Sequence, residues 1–174
     1  MPANDQFTFV DDNKPSFGER IWYFLNALLV VAPPVYLYHS VFGIDIEEMY
    51  WLYASVSILA AVILSTAHNN VAYWLRSRLE GHRDETVTHN MVAAANEGKK
   101  HKEKVQVEKK AQKKHTRSES YSFAILYNNF FFLFVFFVVG FYFFPNFPPV
   151  YNYAFSVLGS ALLVSFVSHQ SVKH

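Results

Sequence analysis

Long stretches without charged side chains alternate with short polar segments along the chain. Two such stretches lie in the first half, and another follows Glu119. Prolines between 145 and 149 divide the last stretch in two, because proline lacks the amide hydrogen that a continuing helix needs. Each resulting segment is long enough to match the hydrocarbon core of a bilayer. The pattern predicts transmembrane helices at about 21–44, 49–75, 121–144 and 150–168.

The segments between the predicted spans indicate how the spans are connected. A short turn with three carboxylates separates the first two spans, and a proline-rich turn separates the last two. We therefore expect an all-α membrane protein with four transmembrane helices in two hairpins. A basic loop, itself expected to form a helical hairpin, joins the two. The predicted divisions are 1–20, 21–75, 76–120, 121–168 and 169–174.

The distribution of lysine and arginine predicts the orientation of the chain. Twelve of the 15 basic residues lie between Arg76 and Arg117, and the two hairpin tips contain none. Positively charged loops are retained on the cytoplasmic side of membranes. We therefore expect both termini and the 76–120 loop to be cytosolic, with both hairpin tips in the lumen.

Composition argues against most catalytic and transport functions. The 174 residues include no cysteine, so disulfides, thiolate nucleophiles and cysteine-based metal centres are excluded. No nucleotide-binding or hydrolase motif is present. The predicted spans carry no Asp, Glu, Lys or Arg, and intramembrane polar groups are expected to be almost absent, unlike in a transporter or channel. We expect no enzymatic activity, no cofactor and no metal site.

The histidines and the turn carboxylates have ordinary explanations. His39 and His68 lie near span ends, where a solvated or hydrogen-bonded ring is expected rather than a metal ligand or a proton shuttle. The carboxylates between 45 and 48 are expected to form a solvated turn. Four loop histidines show no spacing typical of a zinc site: His82, His89, His101 and His115.

Small residues recur at four-residue spacing on the second and fourth spans. Small side chains let helix backbones approach closely in lipid, so these positions predict helix-contact faces. The contact could be with another span of this chain or with a different subunit. The positions are Ser57, Ala61, Ser65, Ser156 and Ser160.

The strongest functional signal is a run of positive charge from residue 99 to residue 117. This segment contains nine basic residues and only two glutamates, which gives it a net charge of +7. Each glutamate stands four residues after a lysine, the weaker orientation for a helical ion pair, so most of the charge is left for an external anionic partner. The basic residues are Lys99, Lys100, Lys102, Lys104, Lys109, Lys110, Lys113, Lys114 and Arg117.

Three surroundings could satisfy this charge: structured RNA, anionic lipid or water. No aromatic residue occurs between Trp74 and Tyr121. Reading of single-stranded bases relies on aromatic stacking, and insertion into headgroups relies on large apolar side chains, so both are disfavoured. Attraction to phosphates, of folded RNA or of a membrane surface, stays open beside a simple solvated face.

Three ordered motifs add a family resemblance. They are Ala67-His68-Asn69-Asn70-Val71 after the second span, Leu126-Tyr127-Asn128-Asn129 at the start of the third, and Asn146-Phe147-Pro148-Pro149-Val150-Tyr151-Asn152-Tyr153 before the fourth. Together with the two-hairpin plan, they resemble the gamma subunit of the translocon-associated protein complex, also called signal sequence receptor gamma. The resemblance covers roughly residues 21–168.

The resemblance implies a non-enzymatic subunit of the endoplasmic reticulum membrane beside the Sec protein-conducting channel. Its implied partners are the alpha and beta translocon-associated subunits, the delta subunit where present, the lipid bilayer, and the RNA and protein of the large ribosomal subunit. In that family the cytosolic loop contacts the ribosome. The nine basic residues named above are therefore the expected ribosome-contact surface, with Lys102, Lys109 and Lys113 at its centre, in a role that assists co-translational translocation.

An alternative is a membrane-shaping hairpin protein whose basic loop binds anionic lipid. The predicted spans have ordinary crossing length rather than the extended length of wedges, which argues against it. Liposome tubulation would favour this alternative, whereas co-purification with ribosomes and the Sec channel would favour docking.

Overall fold

The described part of the chain consists mainly of four α-helices and one π-helical segment. The computed structural model describes residues 15–94 and 99–173, and side chains within 15–79 and 111–170. The π-helical segment, Val138–Phe143, directly continues the third α-helix. The α-helices are α1 (Phe17–Ser40), α2 (Ile46–Ala94), α3 (Lys99–Phe137) and α4 (Pro149–Lys173).

Each helix contains a segment long and apolar enough to cross a membrane. Large apolar side chains such as Leu29, Leu126 and Phe166 are exposed on the outside of the bundle, as lipid-facing residues are. The prediction of an all-α protein with four membrane spans is confirmed. The spanning segments are Phe17–Ser40, Ile46–Leu79, Ala111–Phe143 and Pro149–Gln170.

Two helices extend past their apolar segments. The helix α2 continues to Ala94, and α3 begins at Lys99, so both enter the predicted 76–120 loop. At the opposite end, short connections join α1 to α2 and the π-helical segment to α4. We call the first end of the bundle the loop end and the second the tip end. The predicted division into five segments, and its orientation, stay predictions.

The interior is built from small, aliphatic and aromatic side chains at helical spacing. The helices α2 and α4 pack most extensively against each other. Of the five predicted helix-contact residues, Ala61, Ser156 and Ser160 are fully buried, and Ser57 and Ser65 are half-buried. On α3 every fourth residue faces inward: Thr116, Ser120, Ala124, Asn128, Phe132 and Phe136.

A hydrogen-bonded network centred on Asn152 holds the tip end together. Its Oδ1 accepts a hydrogen bond from the Tyr38 hydroxyl at 2.8 Å and another from the Ser156 hydroxyl at 2.8 Å. Its Nδ2 donates to the carbonyls of Gly140 at 3.1 Å and Phe144 at 2.9 Å. The network therefore joins α1 and α4 to the π-helical segment, whose last carbonyls need partners.

A second network crosses the bundle nearer the loop end. The Asn128 Nδ2 lies 3.3 Å from the Nδ1 of the fully buried His68, and the Ser168 hydroxyl donates to Asn128 Oδ1 at 3.3 Å. This network joins α2, α3 and α4.

These networks correct one expectation from the sequence. Intramembrane polar groups were expected to be almost absent, but buried asparagine, serine, tyrosine and histidine side chains lie within the spans. The expectation considered mainly charged residues, whereas uncharged polar side chains can hydrogen-bond between helices in lipid, where water cannot compete. The predicted hydrogen-bonded state of His68 agrees with its contact to Asn128.

Replacing Gly140 tests the tip-end network. A β-carbon there would lie 3.1 Å from the Tyr38 hydroxyl oxygen and 3.2 Å from Ser156 Oγ, close enough to displace both donors from Asn152. We expect Gly140→Ala to lower the free energy of unfolding by about 1–3 kcal/mol. Denaturant titration in detergent micelles measures this.

The matched control is Gly159→Ala, because a β-carbon at Gly159 meets no atom within 4 Å. It should be neutral, or stabilising by up to about 1 kcal/mol through helix propensity. Equal losses in the two variants would contradict the proposed importance of the network.

Candidate functional site

The candidate site is the basic part of α3 together with the residues that fix it to the membrane bundle. The helix runs from Lys99 to Phe137 without a glycine or proline. At a rise of 1.5 Å per residue, the part from 99 to 120 is about 33 Å long. The basic segment is therefore helical and continuous with a membrane span.

The structure places the predicted contact residues in two groups. The side chains of Lys113 and Lys114 are exposed, and that of Arg117 is half-buried. The other six lie on the helical backbone of α3, but their side chains fall outside the described residues: Lys99, Lys100, Lys102, Lys104, Lys109 and Lys110. Their contact with a partner stays a prediction.

Arg117 forms an ion pair with Glu19 on α1. Its Nε donates to Glu19 Oε1 at 2.8 Å, and its Nη2 donates to Glu19 Oε2 at 2.8 Å. The Arg117 side chain is 36% exposed and the Glu19 side chain is 20% exposed, so water screens the pair only in part. Two parallel, charge-assisted hydrogen bonds fix orientation as well as distance. One of the nine predicted contact residues thus also ties α3 to α1.

Local structure holds Glu19 in place for this contact. Ser16 caps α1, with the Glu19 amide donating to Ser16 Oγ at 3.4 Å and the Ser16 amide donating to Glu19 Oε2 at 2.9 Å. This reciprocal capping box stabilises the first turn of the helix. A carboxylate is also favoured at a helix N-terminus by the helix dipole. The start of α1 therefore presents a preoriented carboxylate to α3.

Further basic side chains lie at the loop end of the bundle. Arg76 on α2 is only 4% exposed and is close enough to Glu19 to interact with it electrostatically. The Arg78 guanidinium lies over the Trp74 ring, 4.8 Å from its centroid, and His115 Nδ1 is 3.0 Å from Glu119 Oε1. Charged groups of α1, α2 and α3 thus meet at the loop end.

The remaining predicted candidates serve local structure. The His39 Nδ1 lies 3.0 Å from the Ile44 carbonyl at the first hairpin tip, and the carboxylates of the adjoining turn are exposed. Asp45 Oδ1 accepts a hydrogen bond from the Glu47 amide at 3.0 Å, which caps the start of α2. Within residues 15–79 and 111–170, no three potential metal ligands come together.

Sequence reasoning missed the Glu19–Arg117 contact. The residues stand 98 positions apart, and nothing in a single sequence links them. The only local signal was the Ser16-to-Glu19 spacing of a capping box, which indicates a helix start but not a partner for the carboxylate.

Comparison with known proteins gives the family. The family model for "Translocon-associated protein, gamma subunit (TRAP-gamma)" matches residues 10–170. The chain belongs to this family. It is 37% identical over 175 residues to the translocon-associated protein subunit gamma of Dictyostelium discoideum, and the match covers 100% of both chains. The TRAP-gamma family consists of translocon-associated subunits and not of enzymes, as the sequence analysis expected.

A double-mutant cycle tests the ion pair. Glu19→Gln should lower the free energy of unfolding by about 1 kcal/mol, since the pair is bidentate but partly screened. Arg117→Gln should cost a similar amount, and the double variant should cost less than the sum of the two. Denaturant titration in micelles at low salt measures all three, and strictly additive losses would show that the groups do not interact.

Proposed function

We propose that this TRAP-gamma subunit docks the translating ribosome at the Sec channel of the endoplasmic reticulum membrane. The basic part of α3 is the docking element, and by holding the ribosome above the channel it assists co-translational translocation. The observation that carries the proposal is the continuity of α3, which joins a segment of net charge +7 directly to a membrane span.

The charge of this helix suits a phosphate surface. The described lysines at its base, Lys113 and Lys114, are exposed, so they are accessible to a large anionic partner. Ribosomal RNA presents a dense array of phosphates, and binding to it releases counterions, which makes the attraction strong at low salt. Since no aromatic residue lies between Trp74 and Tyr121, the contact is expected to read backbone charge rather than bases.

The ion pair to α1 suits a docking role because it directs the helix. An arm attached through one flexible joint loses conformational freedom when a partner fixes it, and that loss weakens binding. The Glu19–Arg117 contact gives α3 a second attachment where it leaves the membrane. The basic helix is therefore already oriented before the ribosome arrives.

The proposal includes the partners and topology that docking requires. The loop end faces the cytosol, and the hairpin tips face the lumen. The membrane bundle associates with the alpha, beta and delta translocon-associated subunits and the Sec channel, within the bilayer. The ribosomal contact includes RNA and protein of the large subunit.

Charge reversal tests docking directly. Membranes that carry the whole translocon-associated complex with Lys102→Glu, Lys109→Glu and Lys113→Glu should lose the contribution of this subunit to ribosome co-sedimentation. In wild-type membranes that contribution should fall with salt, and the log–log salt slope should decrease by about one for each phosphate contact removed. Equal binding of wild type and reversal at all salt concentrations would refute docking.

The matched control replaces the same three lysines with arginine, which keeps the charge and should preserve binding. Anionic liposomes without ribosomes provide the second comparison. If the reversal abolished liposome binding and tubulation but left ribosome binding intact, the membrane-shaping alternative would replace docking.

A further inference from the structure

An open groove of about 940 Å³ lies on the membrane-spanning part of the bundle, outside the basic part of α3. The helix α4 forms its floor, and Asn70 of α2, the π-helical segment and the following Phe144 border it. Aromatic and aliphatic side chains make up most of the walls, among them Phe143, Phe155, Leu162 and Phe166. The floor is open at Gly159, where a β-carbon would meet no atom within 4 Å.

The polar residues of the groove gather at its loop end. Asn70, Ser165 and His169 line it there, whereas the tip end is apolar. No hydrogen bond joins these three side chains to the other described residues. Ser165 differs in this from the neighbouring Ser168, whose single O–H is shared between the Val164 carbonyl at 2.7 Å and Asn128 Oδ1 at 3.3 Å. The groove thus has one end that offers hydrogen bonds and a long apolar body.

The polar end of the groove lies close to the loop end of the two helices that supply its polar residues, α2 and α4. Asn70 stands six residues before Arg76, roughly 9 Å along α2, and His169 stands four residues before the end of α4, roughly 6 Å. The interfacial layer on each side of the hydrocarbon core is of comparable thickness. Polar groups at this level meet glycerol esters and phosphates.

We propose that this groove binds one glycerophospholipid of the leaflet at the loop end. The Asn70 amide and the His169 ring donate hydrogen bonds, and the ester carbonyls and phosphate of the lipid can accept them. The acyl chains lie along the apolar body over Gly159. This proposal does not depend on ribosome docking.

A transmembrane helix of another subunit fits the groove less well. Tight helix contacts in lipid require small residues on both surfaces, but bulky phenylalanines and leucines line this groove around a single glycine. The backbone carbonyls of a spanning helix are already bonded within that helix, so they offer little to the donors at the loop end.

Filling the groove tests the proposal. Purified wild-type protein should retain one phospholipid after repeated detergent washing. Native mass spectrometry counts the lipids bound to each protein. Gly159→Leu places a side chain in the open floor and should remove that lipid. The control Ala32→Leu adds the same bulk at an exposed position on α1 and should retain it. Equal lipid retention in the two variants would overturn the proposal.

A second experiment removes the hydrogen-bond donors at the loop end of the groove. Asn70→Leu with His169→Leu should lower retention of phosphatidylcholine by roughly tenfold, as expected for the loss of two hydrogen bonds. A phosphatidylcholine with a photoreactive acyl chain should cross-link to Phe155 and Leu162 in the intact complex. Cross-links spread evenly around the bundle, or a partner polypeptide found in the groove, would contradict a bound lipid.

Discussion

Polar groups inside a bilayer have no water to bind, and this constraint governs how the four helices of this protein come together. Lipid chains are as apolar as the side chains between helices, so burial of apolar surface does not drive association there. The networks around Asn152 and Asn128, in contrast, lose their partners if the helices separate. Each network joins three segments, and together they include all four helices.

The ion pair between Glu19 and Arg117 joins two helices at the edge of the membrane, as the hydrogen-bonded networks do within it. Both hydrogen bonds are 2.8 Å long, and the capping box of α1 orients the carboxylate before the pair forms. Below it, α3 is fixed within the bundle through Asn128. Because α3 continues as one helix to Lys99, two attachments near its middle set the direction of the whole basic segment.

Much of the fold could be predicted because charge is excluded from the spans. The uncharged stretches and the prolines between 145 and 149 were sufficient to predict four helices in the observed order. The extension of α3 from the membrane into the basic segment was harder to predict. It depends on the absence of helix-breaking residues in that region, rather than on any positive pattern.

The hydrogen bonds between helices could not be derived from the sequence. His68, Asn128 and Asn152 lie in the motifs that carried the family resemblance, yet only the structure shows that each is buried and hydrogen-bonded. A single sequence does not reveal how far each helix is rotated. Whether an asparagine faces lipid or a neighbouring helix depends on that rotation. For the same reason, the sequence did not identify Arg117 as the partner of Glu19.

The ion pair and the contacts within the bundle give the basic helix one fixed direction relative to the bundle. Because the chain has no cysteine, spin labels can be attached selectively to two introduced cysteines, Phe17→Cys and Lys113→Cys. Both positions are exposed and lie at the loop end. Pulsed electron spin resonance in liposomes then measures the distance between α1 and α3. We expect one narrow distance distribution that broadens with Glu19→Gln. A broad distribution in the otherwise wild-type protein, or no change with Glu19→Gln, would contradict a fixed direction set by the ion pair.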